Sequence, residues 1–125
     1  MVYHRTVINT SPTIEANAKF IKTLASCRSQ ERRKHLIKTA TTAQLLALVE
    51  IAANLLRGRI PIRTDRKRQL GGQANTIRRL SRVRSDKSAR KILLSSEQQQ
   101  EGKGPFAVAS IVSRLLLPFI ADLLV

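Results

Sequence analysis

One amphipathic run constrains the fold of this chain more than any other feature of its sequence. Residues 42–58, TAQLLALVEIAANLLRG, carry an apolar stripe at 3.6-residue spacing: Leu45, Val49, Ala52 and Leu56, widened by Leu48 and Ala53. Thr41 and Gln44 fit a capping box at the start of this run, and Gly58 stands where a C′ residue belongs. The pattern predicts a core helix against which the other elements pack.

The flanking segments also carry helix signals. Ser11-Pro12 suits the start of a helix over about 12–26, and Ser29 can cap a second one in SQERRKHLIK. Further along, Ser85 can cap a short last helix, DKSARKILL. Strand-like alternation is confined to the short MVYHRTVI. We therefore expect an all-α fold of four or five short helices, with a basic central segment and a separate apolar C-terminal helix.

A strong excess of positive charge indicates the class of partner. The 125 residues include 23 Lys and Arg against 8 Asp and Glu, a formal net charge of +15, and the pI is about 11.6. This balance favours a polyanion, with nucleic acid first and an anionic membrane second. A charged soluble protein without such a partner and a ribosomal or histone-like protein are the alternatives.

Most of the charge lies in residues 57–91, which we call the basic block. It contains ten Arg and three Lys, and its only acidic residues are Asp65 and Asp86. Arginine binds phosphate oxygens through two parallel donors, which lysine cannot do. No zinc-finger spacing, aromatic RNA-binding pair or zipper accompanies the block, so we expect it to bind the backbone of double-stranded DNA with little sequence preference. The predicted contacts are Arg57, Arg59, Arg63, Arg66, Lys67, Arg68, Arg78, Arg79, Arg82, Arg84, Lys87, Arg90 and Lys91.

Part of the basic block has the pattern of an amphipathic helix, with apolar residues on one face and arginines on the other. Leu70, Ala74, Ile77 and Leu80 share one face, and Arg78, Arg79 and Arg82 lie largely off it. Gly71-Gly72 interrupts the run at a cost of about 1 kcal/mol per glycine in a helix, which predicts a break or kink.

The sequence offers no sign of catalytic or metal chemistry. Cys27 is single, and the two histidines, His4 and His35, are far apart. We interpret Cys27 as a small buried residue and His35 as a residue on a helix surface. No paired carboxylates, nucleophile constellation or phosphate loop is visible, so we expect a protein that is not an enzyme and takes no cofactor, metal or small-molecule substrate. The N-terminus has no apolar stretch typical of a signal peptide.

The chain ends on an apolar segment, residues 105–125, with 15 apolar side chains. As a helix it would reach about 31 Å, close to the hydrocarbon thickness of a bilayer. Arg114, Pro118 and Asp122 disfavour a plain transmembrane span. Membrane activity and packing on the core or on a partner are both open. The side chains expected to insert or dock are Phe106, Val108, Ile111, Val112, Leu115, Leu116, Phe119, Ile120, Leu123 and Leu124.

These patterns divide the chain into five parts. We predict an N-terminal arm at 1–11, a helical segment at 12–58, a basic helical DNA-binding segment at 59–94, a polar linker at 95–104 and an apolar membrane-active or docking helix at 105–125. The linker separates the basic block from the apolar segment, which favours DNA over lipid because lipid-binding basic residues stand directly beside a membrane helix.

The order of these segments resembles a viral family. The segments that carry the resemblance are TLASCRSQERRKHLIKTA, LLALVEIAANLLRGRIPI, TIRRLSRVRSDKSARKILL and the glycines before the apolar C-terminal run. They look like the small basic core proteins of adenovirus-like elements, the Polinton or adintovirus group. Members of that family are compared with adenovirus core protein X (mu). The resemblance covers roughly residues 20–125. It implies a virion component that condenses packaged double-stranded DNA, is present in the host nucleus during assembly, and contacts capsid proteins or membrane through its C-terminal helix.

The same resemblance suggests a maturation cleavage. Adenovirus-type proteases favour an aliphatic residue two positions before the first of two glycines, and here Gln100 takes that position before Gly102 and Gly104. Cleavage between Lys103 and Gly104 would separate the apolar segment from the DNA-binding part.

Overall fold

The computed structural model describes residues 12–58, 73–99 and 107–120. They form α1 (Pro12–Ala16), α2 (Ala18–Ser26), α3 (Gln30–Lys38), α4 (Thr42–Leu56), α5 (Ala74–Arg82), α6 (Asp86–Gln99) and α7 (Val108–Ile120). No strand occurs among these residues, so the predicted all-α class is confirmed. The described part of the chain has seven helices where the sequence predicted four or five. The MVYHRTVI alternation, Leu70 and Gly71-Gly72 lie outside the described residues.

The predicted first helix is divided in two at Asn17. The Asn17 side chain donates Nδ2–H to the carbonyl oxygen of Thr13 at 2.8 Å, and its backbone N–H bonds to the carbonyl oxygen of Ile14 at 3.1 Å. An asparagine that bonds to the preceding turn competes with the regular helical ladder. The break therefore separates α1 from α2 within the range that the sequence assigned to one helix.

The caps predicted at Ser29, Thr41 and Ser85 are present, and Ser11 lies outside the described residues. Ser29 Oγ accepts from the backbone N–H of Arg32 at 3.2 Å, and Ser85 Oγ accepts from that of Ser88 at 3.2 Å. At the start of α4, Thr41 and Gln44 form both bonds of a capping box. Gly58 follows α4 with φ of 71°, the left-handed conformation that glycine adopts without a Cβ penalty.

Helix α4 lies at the centre of the fold, since it packs against α1, α5, α6 and α7. Leu45, Leu48 and Ile51 are fully buried, and each such side chain contributes about 1.5–3 kcal/mol relative to an exposed one. Leu56, which the sequence placed in the buried stripe, is 44% exposed. The buried face passes through Leu55, and the next residue lies about 100° further round the helix.

The prediction of a polar linker from residue 95 is wrong for its first five residues. Helix α6 continues through Gln99, and Ser96 and Glu97 are buried. Ser96 Oγ accepts a hydrogen bond from the backbone N–H of Val108 at 3.0 Å, which satisfies a donor at the start of α7 that has no partner within that helix. Glu97 is paired with Arg33 of α3. Ser96 and Glu97 are thus accommodated in buried positions because α7 and α3 supply their partners.

The C-terminal helix is not separate from the rest of the fold. Helix α7 packs most extensively against α2 and also contacts α4 and α6. Its side chains belong to the same hydrophobic core as those of α4. Of the two interpretations that the sequence left open, packing on the core describes this helix in the folded chain.

Candidate nucleic-acid interface

The structure places most of the described cations of the basic block in solvent. The exposed residues are Arg57, Arg78, Arg79, Arg82, Arg84, Lys87 and Lys91. Arg90 is half-buried. Arg59, Arg63, Arg66, Lys67 and Arg68 lie outside the described residues, as does Asp65.

Helix α5 is anchored by two apolar side chains and presents its arginines outward. Ile77 and Leu80 are fully buried, and α5 packs against α4 and α6. Arg78, Arg79 and Arg82 are exposed, as the sequence stripe predicted. Because the apolar stripe fixes the orientation of the helix, the guanidinium groups are held on the solvent side.

The C-terminal turn of α5 and the first turns of α6 form one cationic surface. A shallow cavity of about 370 Å³ lies between them, and Arg79, Arg82 and Lys91 supply its charges. Ser88 also lines it, and none of the described residues that line it is acidic. We call Arg79, Arg82 and Lys91 the α5–α6 surface. Three cations around a concave site without a negative neighbour suit a phosphate-bearing ligand.

Arg90 differs from the other described arginines of the block because its half-buried guanidinium binds carbonyl groups of α3 and of the residues that follow it. It donates from Nη2 to the carbonyl oxygen of Ala40 at 2.7 Å and from Nε to that of Ile37 at 3.3 Å. Its Nη1 lies 3.9 Å from a carboxylate oxygen of Asp86. These carbonyls close α3, where a cation stabilises the negative end of the helix dipole. The structure thus gives Arg90 a role in joining α6 to α3.

A second cationic surface, which sequence reasoning missed, lies where α2 meets α3. An open groove of about 650 Å³ is lined there by Lys19, Lys22, Ser26, Arg28, Ser29 and Arg32, among others, and within the described part of the chain no acidic residue lines it. We call it the α2–α3 groove. Its four cations are all exposed. The signal was present, because Lys19, Lys22 and Ser26 follow a three-to-four residue spacing on the face of α2 away from Ile21 and Leu24.

Buried Arg33 and half-buried Arg114 bind carbonyl groups of the turn between α2 and α3, where this groove lies. Arg33 donates from Nη1 to the carbonyl oxygen of Cys27 at 3.0 Å, and Arg114 donates from Nε to that of Ala25 at 3.0 Å. Arg33 also binds both carboxylate oxygens of Glu97, at 3.0 and 3.1 Å. Arginines from α3 and α7 therefore bind carbonyl groups at the negative end of α2.

The predicted docking residues of the C-terminal helix are buried wherever the structure describes their side chains. Those residues are Val108, Ile111, Val112, Leu115 and Leu116. Phe119 and Ile120 belong to α7 by backbone. Phe106, Leu123 and Leu124, together with the proposed cleavage residues Lys103 and Gly104, lie outside the described residues.

Cys27 and His35 have the environments that the sequence predicted. Cys27 is buried, with its thiol 3.4 Å from the carbonyl oxygen of Ser29, and His35 is exposed. Within residues 12–58, 73–99 and 107–120, no cluster of three metal-ligating side chains occurs. In the same ranges no single helix has the length and apolarity to cross a membrane, although α3 and α4, bent by 114°, meet those criteria as a pair.

Comparison with known proteins returned no relative: no protein-family model, curated protein or solved structure matches this chain.

Proposed function

We propose that this protein is a non-enzymatic DNA-binding protein that neutralises phosphates of double-stranded DNA and condenses it without sequence preference. The observation that carries the proposal is the α5–α6 surface, where Arg79, Arg82 and Lys91 line one cavity that no acidic residue among those described lines. Arg57, Arg78, Arg84 and Lys87 add exposed charge from the same block.

The surface favours phosphate contact over base recognition. Arginine forms bidentate bonds with phosphate oxygens, and those contacts position a protein on the duplex without reporting its sequence. The apolar side chains of α5, Ile77 and Leu80, are buried in the core and so do not contact bases. We therefore expect affinity to come from counterion release and to weaken steeply with salt.

A salt titration of the full chain tests this function. The affinity for two duplexes of unrelated sequence is measured by fluorescence anisotropy over a range of salt concentrations. We expect equal affinities and a log–log slope of about −5 or steeper, the sign of several neutralised phosphates. A slope near zero, a strong preference for one duplex, or no binding would refute the proposal.

A matched pair of variants locates the interface. Arg79→Gln with Arg82→Gln removes two charges from the α5–α6 surface, and we expect the slope to become shallower by about 1.8. Lys34→Gln with Lys38→Gln removes the same charge from two α3 positions that line neither cavity, and should change the slope less. Equal effects would mean that net charge alone, and no particular surface, binds DNA.

The alternative is a membrane-active or membrane-anchored minor virion protein whose basic block binds anionic lipid. It has less support, because the apolar side chains that it requires, including Val112 and Leu116, are buried against the core. Insertion would require α7 to leave α2. Binding to anionic vesicles without binding to DNA would favour this alternative.

A place in a virion, with assembly in the host nucleus, rests on the resemblance of residues 20–125 to adenovirus-like core proteins. The proposed cleavage between Lys103 and Gly104 has the same basis. Mass spectrometry of mature particles tests both, since a chain that is absent from the particle, or present uncut, would contradict the respective proposal.

A further inference from the structure

The α2–α3 groove carries four cations that lie outside the basic block. Lys19, Lys22, Arg28 and Arg32 line it and are exposed, and no acidic residue of ranges 12–58, 73–99 and 107–120 lines it. Its volume of about 650 Å³ exceeds the roughly 370 Å³ of the cavity at the α5–α6 surface. Four convergent cations in an open groove suit a chain of phosphates better than one small anion.

The carbonyl groups at the end of α2 and the carboxylates of Glu31 and Glu97 contact cations that do not line the groove. The nearby carbonyls of Ala25 and Cys27 are bound by Arg114 and Arg33, which reach them from the interior. The buried carboxylate of Glu97 is bound by Arg33, and exposed Glu31 has Lys34 at 4.0 Å. The N-cap of α3, Ser29, also lines the groove, so the positive end of that helix dipole adds to the field of the cations.

The two cationic surfaces belong to different parts of the fold. The groove is formed by α2 and the start of α3, and α2 packs mainly on α7. The α5–α6 surface belongs to helices that pack on each other and on α4. The packing of α3 against α6 joins the helices that carry them, but the two surfaces share no lining residue. They therefore offer DNA two separate sets of cations.

We propose that the α2–α3 groove binds the phosphate backbone of a second DNA duplex, so that one protein molecule bridges two duplexes. This inference rests on the proposed function, because the first duplex is the one bound at the basic block. It explains how one small protein molecule could condense DNA: coating a single duplex neutralises it, whereas two separate surfaces hold two duplexes together.

A bridging assay with the full chain tests the proposal. One short duplex is tethered to beads, a second fluorescent duplex of different sequence is supplied, and its protein-dependent capture is measured across a salt series. The affinity for a single duplex in solution is measured in parallel. Circular dichroism and thermal melting verify that each variant is folded.

Two lysine pairs provide matched variants. Lys19→Gln with Lys22→Gln alters the groove, and Lys34→Gln with Lys38→Gln removes the same charge from elsewhere on α3. We expect the groove variant to lose capture of the second duplex, whereas its affinity for a single duplex falls no further than that of the control. Arg28→Gln alone or Arg32→Gln alone should retain measurable capture and make the salt slope of bridging shallower by about 0.9, because the protein neutralises one phosphate fewer.

The outcomes separate this inference from the function on which it rests. Capture by the groove variant at the wild-type level, or binding of single duplexes by wild type without any bridging, would overturn the inference and leave DNA binding in place. If the wild-type chain bound no duplex, the proposed function would fail and the inference with it.

Discussion

The buried ion pair between α3 and α6 allows a sharp test of the fold. Arg33 and Glu97 have side chains 3% and 0% exposed, and Arg33 Nε lies 3.1 and 3.0 Å from the two carboxylate oxygens. Glu97→Gln keeps the size of the side chain and leaves the charge of Arg33 buried without its counterion. Breaking a buried pair in this way costs about 3–5 kcal/mol.

This loss is large but measurable. A chain of 125 residues is expected to have a free energy of unfolding of about 6–19 kcal/mol, so the variant should remain folded with a clearly lower denaturation midpoint. The protein has no tryptophan, so urea unfolding is followed by circular dichroism of the helices. We expect the m-value to be unchanged, because the same surface is exposed on unfolding.

The chain contains its own control for this experiment. Glu31 has a side chain 88% exposed and lies 4.0 Å from Lys34, so Glu31→Gln should change the free energy of unfolding by at most about 1 kcal/mol. If Glu97→Gln cost no more than Glu31→Gln, the packing of α6 against α3 would be refuted.

A double replacement separates charge burial from packing. Arg33→Met with Glu97→Leu removes both charges and fills similar volume, so it should be more stable than Glu97→Gln. A residual cost of about 1–3 kcal/mol is expected, because the carbonyl of Cys27 loses the Nη1 donor of Arg33. A double variant that is less stable than Glu97→Gln would contradict this explanation.

Four further predictions concern single residues. Arg90→Gln should lower the free energy of unfolding by about 1–3 kcal/mol, because it removes hydrogen-bond donors from the end of α3. It should weaken DNA binding less than Arg82→Gln does. Thermal melts measure the stability and anisotropy measures the binding; a larger loss of binding for Arg90→Gln than for Arg82→Gln would contradict a structural role for Arg90. Thr41→Ala should cost about 1 kcal/mol in urea unfolding through loss of the capping box, and a neutral effect would contradict the cap. Gly58→Ala should cost about 1–2 kcal/mol from the backbone alone, since no atom lies within 4 Å of the added Cβ; stabilisation would exclude the positive φ. Leu116→Ala should cost about 2–5 kcal/mol, and an unchanged melting temperature would mean that α7 is not in the core.

The local signals predicted the helices well where a cap and a stripe coincide. Ser29, Thr41 and Ser85 cap helices at the expected residues, because a cap depends on atoms only three residues apart. The arginines of α5 face outward, as the positions of Ile77 and Leu80 indicated. Boundaries were less predictable, as the break at Asn17 illustrates.

The candidate site was predicted in part. The exposed arginines at positions 79 and 82 were named from the sequence, whereas the α2–α3 groove was missed because its cations are divided between two helices and a turn. Charge counting also placed Arg90 with the DNA contacts. Its carbonyl partners, Ile37 and Ala40, precede it by about fifty residues and come near only in the folded chain.

Sequence alone was sufficient for the helical class, for the caps and for the positive character of the chain, since each depends on composition or on neighbours within one or two turns. Tertiary structure decided where each charge and each apolar face lies. The sequence assigns Glu97 to a polar linker, whereas in the folded chain it is buried and pairs with Arg33, 64 positions away. The apolar face of α7 suits a membrane or a core equally well by periodicity, and its packing on α2 places it in the core. Such partners are brought together by packing between distant helices, which no local pattern encodes.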